Sequence, residues 1–143
     1  MVTRRAVLAG GAGLAGLWGL GQVLGPEARL TRVVLENAGR RAREFEMRIA
    51  IDGKTRYDRT HRVEGEAQNG DGAGESFLVL DTAALPAERG RVELTVRVPE
   101  LDAEQTAAFE QSTCYHVIAE LTVNSAGADV GIFTNRGPDN CPE

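Results

Sequence analysis

Alternation of apolar and polar positions is clearest from Glu44 to Ile51. Phe45, Met47, Ile49 and Ile51 take one parity; Glu44, Glu46, Arg48 and Ala50 take the other. A period of two is that of a strand with one buried and one wet face. The period recurs over Arg91–Val98, where Val92, Leu94, Val96 and Val98 point inward and Pro99 ends the run. It recurs again after Cys114, with Tyr115, Val117, Ala119, Leu121 and Val123 on the inner side, and Val130 with Ile132 or Phe133 on the returning strand. Leu30–Asn37 is a first strand, ended by the turn-forming Asn37-Ala38-Gly39. Ser76–Asp81 reads SFLVLD, a run too continuously apolar for a half-exposed strand, and predicts a buried one. Asp102–Gln111 is rich in helix formers with few apolar positions, and predicts a short surface helix or turn.

Asp52-Gly53 folds the Glu44–Ile51 strand back into Thr55–Glu64, and the register of that hairpin can be argued. A two-residue loop would set Arg56 against the core position Ile49. A three-residue loop, Asp52-Gly53-Lys54, pairs Ile49 with Tyr57 and Phe45 with His61 on the inner side, and Arg48 with Asp58 and Glu44 with Arg62 on the outer side. Opposed charges favour such cross-strand pairs by about 0.2–1 kcal/mol each. The three-residue loop is therefore expected. The polar, glycine-rich stretch 65–74 that follows has too few carboxylates for a calcium loop and is expected to be a plain connection. Strands at this spacing with almost no helix predict an all-β, immunoglobulin-like antiparallel sandwich of about seven strands over residues 28–143.

The N-terminus is of another kind. Thr3-Arg4-Arg5-Ala6-Val7-Leu8 puts paired arginines ahead of an uncharged, Gly- and Ala-rich stretch reaching Pro26, which resembles a twin-arginine export signal. Residues 1–27 are thus expected to be a signal peptide or an N-terminal membrane anchor helix. No cysteine follows the apolar run for lipid attachment, and Pro26 disfavours a small-residue cleavage site, so release and anchoring both stay open. The expected location is outside the cytoplasm, free or held on the outer face of the membrane.

Charge adds an asymmetry. The formal net charge is −5, with 15 Arg and one Lys against 21 acidic residues. Residues 28–62 carry about +5 and residues 63–143 about −11, counted from Arg, Lys, Asp and Glu. The plainer reading is that basic and acidic strands become neighbours in one fold. The sharper one is a basic face for an anionic partner, with Arg48, Arg56 and Arg62 on the outward side of the Asp52-Gly53 hairpin. Aromatic residues are few and the basic ones lie on alternate sides of strands, so no nucleic-acid partner is expected.

Two cysteines, Cys114 and Cys141, bracket the last hairpin. In an exported chain such a pair is expected to form a disulfide. The competing chemistry is a metal (copper) carrier or small enzyme built on Cys114, His116 and His61. A blue-copper site needs two His, one Cys and a weak axial ligand such as Met. Here Cys114 and His116 are too close in sequence, no Met follows them, and Met47 sits on a core parity. No catalytic spacing accompanies either His. No metal, no cofactor and no enzymatic activity are expected.

Thr3-Arg4-Arg5, the strand series punctuated by Asn37 and Asp52-Gly53, and the closing Cys114…Phe133…Cys141 hairpin together resemble the small twin-arginine-exported immunoglobulin-like proteins of halophilic archaea. The resemblance implies an extracytoplasmic domain. The expectation is a non-enzymatic binding or structural module of the cell surface, facing a protein or glycan partner.

Overall fold

A computed structural model describes residues 25–66 and 76–143. Its eight strands are β1 (Arg29–Asn37), β2 (Arg43–Ile51), β3 (Lys54–Val63), β4 (Phe77–Leu80), β5 (Val92–Val98), β6 (Ala103–Phe109), β7 (Cys114–Asn124) and β8 (Gly127–Gly137). They form two four-stranded sheets, ordered β4-β1-β7-β8 and β3-β2-β5-β6. Every pairing is antiparallel except β1 with β7. The alternating inward residues meet in one core, with Leu35, Phe45, Met47, Leu94, Val96, Val117 and Leu121 fully buried.

The all-β sandwich is as expected; its strand order differs from that of a constant-type immunoglobulin sandwich. In a constant-type immunoglobulin sandwich the third strand leaves the second for the opposite sheet. Here β2 and β3 stay neighbours, and the arrangement is four strands on four rather than about seven in all. The physical reason lies in the turn. Asp52 (φ 51°) and Gly53 (φ 81°) are both left-handed, the geometry of a two-residue hairpin turn, which folds the chain straight back onto the neighbouring position of the same sheet.

That turn also corrects the expected loop while keeping the register. Ala50 pairs with Thr55 and Ile51 with Lys54, so the loop has two residues. The register then shifts between Ile49 and Ala50, leaving Arg56 as the extra residue of a bulge. Beyond it Ile49 faces Tyr57, Arg48 faces Asp58, Phe45 faces His61 and Glu44 faces Arg62. The bulge does what the third loop residue was expected to do: it returns Tyr57 to the inner face.

Residues 102–111 are the other correction. Ala103–Phe109 is a strand, paired with β5 from Val98↔Ala103 to Val92↔Phe109. A 3-10 turn at Pro99–Leu101 and the left-handed Asp102 reverse the chain onto β5. Once there, Ala103 and Phe109 are buried, and the Thr95 and Thr106 hydroxyls share a 3.0 Å hydrogen bond across the strands. A vacant sheet edge outweighs a helix propensity of tenths of a kcal/mol per residue.

Two polar side chains close the structure where strands end. Asn37 is wholly buried; its amide nitrogen donates to the carbonyls of Arg41 (2.7 Å) and Val63 (3.1 Å), and its Oδ1 accepts from Gly39 N. One side chain thereby ties β1 of the first sheet to the end of β3 in the second. Tyr115, at the start of β7, accepts a bond at its hydroxyl from Gln111 N (3.2 Å) and packs its ring against Phe109, centroids 4.8 Å apart. It fixes the corner where the chain passes between sheets. Gly65 is required by closeness: a Cβ there would lie 2.5 Å from the Arg40 carbonyl carbon.

Candidate functional site

Cys114 opens β7, and Cys141 lies just past a 3-10 turn at Pro138–Asn140. The two form a disulfide with Cα atoms 5.2 Å apart, closing a sequence separation of 27. The Thr31 hydroxyl donates to the Asn140 carbonyl at 2.8 Å, a second hold on the tail. Thr31 can reach it because the β1–β7 register shifts between Leu30 and Arg32. The Arg89 guanidinium lies against both sulfurs, 3.7 and 4.0 Å away. The sequence expected the staple, and it is there.

The three arginines of the expected basic surface are on the β2–β3 hairpin, but each faces a carboxylate. Arg48 pairs with Asp58 (3.6 Å), Arg56 with Glu88 (3.1 Å) and Arg62 with Glu64 (3.6 Å). Arg43–Glu100, Arg91–Glu110 and Arg97–Glu46 continue the pattern on the same sheet. Three of the six pairs, Arg43–Glu100, Arg56–Glu88 and Arg62–Glu64, join the basic first part of the chain to the acidic second part. The outcome is a mixed-charge surface rather than a basic one.

Cys114, His116 and His61 are not brought together. Cys114 is bonded to Cys141. His116 is on the outward parity of β7, between the buried Tyr115 and Val117, whereas His61 lies in the other sheet on the inward parity of β3. Among the described residues no group of three or more His, Cys, Asp and Glu is placed to hold a metal ion. His61 has a local partner instead: its Nε2 and the Tyr57 hydroxyl share a 2.6 Å hydrogen bond. Burial, and secondarily the charge of Arg59, hold the His61 pKa below its usual 6.5. Burial also raises that of Tyr57, with Arg59 opposing it. Both groups are therefore neutral near pH 7, a packed pair at the open edge of β3.

The feature that sequence reading missed is the outer face of the β4-β1-β7-β8 sheet. Val79 stands opposite Val34, Val34 opposite Ile118, and Ile118 opposite Phe133, an unbroken apolar row across all four strands. Phe133 is 58% exposed, Ile118 41% and Val79 40%, and Phe77, beside the row on β4, is 44% exposed. The expectation that 76–81 is buried fails here. β4 is an edge strand with Leu78 and Leu80 turned in and Phe77 and Val79 turned out. Val123, expected inside, is exposed as well because β7 runs past the end of the core. The signal was present in Val34, Ile118 and Phe133, apolar residues on the parity opposite to the core, but only sheet order sets them side by side.

A shallow depression lies on this face, lined by Arg32, Val34, His116, Ile118, Phe133 and Asn135 among others. Contiguous exposed apolar surface rimmed by polar groups marks interaction sites. Among the described residues no helix is long and apolar enough to cross a membrane; Arg4 and Arg5 of the expected export signal lie outside those residues. No protein-family model matches the chain, and no curated protein sequence matches it.

Proposed function

We propose that the protein is a non-enzymatic binding or structural module working outside the cytoplasm, and that it binds through the outer face of the β4-β1-β7-β8 sheet. The observation that carries this reading is the row Val79–Val34–Ile118–Phe133, apolar and open on a sheet whose other side is already packed. An extracytoplasmic setting is supported by the disulfide, since such bonds persist in oxidising compartments, and by the paired Arg4 and Arg5 at the N-terminus. The metal-carrier alternative needs a free Cys114 thiolate, and that sulfur is bonded to Cys141.

The test is fractionation of cells making the full chain, with protease added to intact cells and alkylation before and after reduction. Expected are a protease-accessible protein whose cysteines alkylate only after reduction, and loss of Phe133→Asp from the surface-associated fraction. Protection from protease together with freely alkylated cysteines would overturn the extracytoplasmic reading. Unchanged retention of Phe133→Asp and Ile118→Asp would overturn the assignment of the face.

A further inference from the structure

We infer that the occupant of this face is a second copy of the chain, packed sheet to sheet about a two-fold axis that runs along the Val79–Val34–Ile118–Phe133 row. The inference rests on the proposed binding face and names its partner. What points to a second copy is the charge on either side of the row. Along β1, Arg32 precedes Val34 by two residues and Glu36 follows it by two; along β7, His116 and Glu120 bracket Ile118 in the same way. The strands are in register, so Arg32 is beside His116, and Glu36 beside Glu120. One flank of the row thus carries the arginine, and the other carries both carboxylates. Among the described residues none of Arg32, Glu36 and Glu120 takes part in an ion pair.

A half-turn about the row reverses strand direction and leaves each strand over its own counterpart. Val34, Ile118 and Phe133 then meet the same residues of the second copy. Arg32 meets Glu36 of the second copy, and His116 meets its Glu120. A two-fold interface must be self-complementary in this sense. The other in-plane axis, along the strands, would set Glu36 against Glu120 of the second copy, two like charges. The charge pattern therefore selects one axis. Gly131 helps make the surface flat: a Cβ there would come within 3.2 Å of the Phe133 ring, so glycine lets the ring lie low beside it. Two such faces pack as aligned sheets do in any sandwich.

The experiment is sedimentation equilibrium of the full chain and of charge variants, with thermal melts to establish that each variant is folded. The wild-type chain is expected to dimerise. Arg32→Glu alone and Glu36→Arg alone are each expected to weaken self-association at least about tenfold, since each places like charges across the axis. Mixed together, the two variants should recover the dimer, because the mixed pair sets Glu at position 32 against Arg at position 36 and the native Arg32 against the native Glu36. Weakening by Glu36→Arg alone is what is specific to this axis, because the axis along the strands would set an arginine at position 36 against Glu120 of the second copy and strengthen the contact. A wild-type chain still monomeric at about 0.1 mM, a dissociation constant too weak to matter, would overturn the inference. So would association indifferent to both variants, which would place the contact elsewhere, residues 1–24 included. A monomer whose retention at the cell surface still falls in Phe133→Asp would exclude the second copy while leaving the binding face standing; unchanged retention as well would remove both.

Discussion

The two outer faces of the sandwich solve the same problem in opposite ways. On β3-β2-β5-β6 the outward residues are largely charged, and six Arg–carboxylate pairs lie on the strands or at their ends. On β4-β1-β7-β8 the outward residues form an apolar row, with Arg32 to one side and Glu36 and Glu120 to the other, none of them ion-paired among the described residues. A solvent-facing sheet needs polar groups and little else, so the first face is complete as it stands. The second exposes apolar area that water penalises at about 25 cal/mol per Å². The difference teaches where to look for function: the face that is costly to leave bare is the one to which the proposed binding is assigned. The arginine-rich face, which composition made conspicuous, is neutralised by its own neighbours.

Loss of the disulfide should have the largest effect on stability, and it should fall on the apolar-faced sheet, where Cys114 opens β7. Cys114→Ser with Cys141→Ser is expected to cost about 3–4 kcal/mol by loop-closure entropy, read by denaturant unfolding. A loss well under about 1 kcal/mol would mean that Thr31 and Asn140 hold the tail unaided.

Asn37→Ala tests the link between the sheets. It leaves the Arg41 and Val63 carbonyls without their side-chain donor, at an expected cost of about 2–4 kcal/mol, with hydrogen exchange rising at the ends of β1 and β3. Equal protection at both ends would show that the two sheets hold together without it.

Surface substitutions sharpen the contrast directly. Arg48→Ala, Arg56→Ala and Arg62→Ala should each change stability by about 1 kcal/mol or less, because their pairs are solvent-exposed, and the change should shrink further in salt. Phe133→Ala should cost the folded monomer equally little, yet alter association. Were an arginine variant to abolish surface retention while Phe133→Ala left it intact, the assignment of the two faces would have to be exchanged.

The smallest effect is a pH dependence confined to the ion-paired sheet. The unfolded His61 ring takes up its proton near pH 6.5, and the folded ring only at lower pH. Below 6.5 the unfolded state therefore binds more protons, and stability falls as the pH drops through the folded value. His61→Gln should flatten that part of the stability–pH curve; an unchanged curve would assign the slope to other groups.

Much of this protein was determined by local sequence alone. Period-two alternation set the inward faces of β2, β5 and most of β7, because a half-buried strand has no other pattern. The charges opposed across the Asp52-Gly53 hairpin gave the register of Ile49 with Tyr57, and two cysteines in one exported-looking chain gave the staple. Tertiary structure decided the rest. The segment 103–109 became a strand because β5 offered a free edge, which no local propensity encodes. Arg56, Arg43 and Arg97 lost their isolation to Glu88, Glu100 and Glu46, partners remote in sequence. The apolar row exists only because β1 pairs with both β4 and β7, and β7 with β8. Periodicity tells a strand which residues share a face; sheet order alone tells which faces of different strands become one surface.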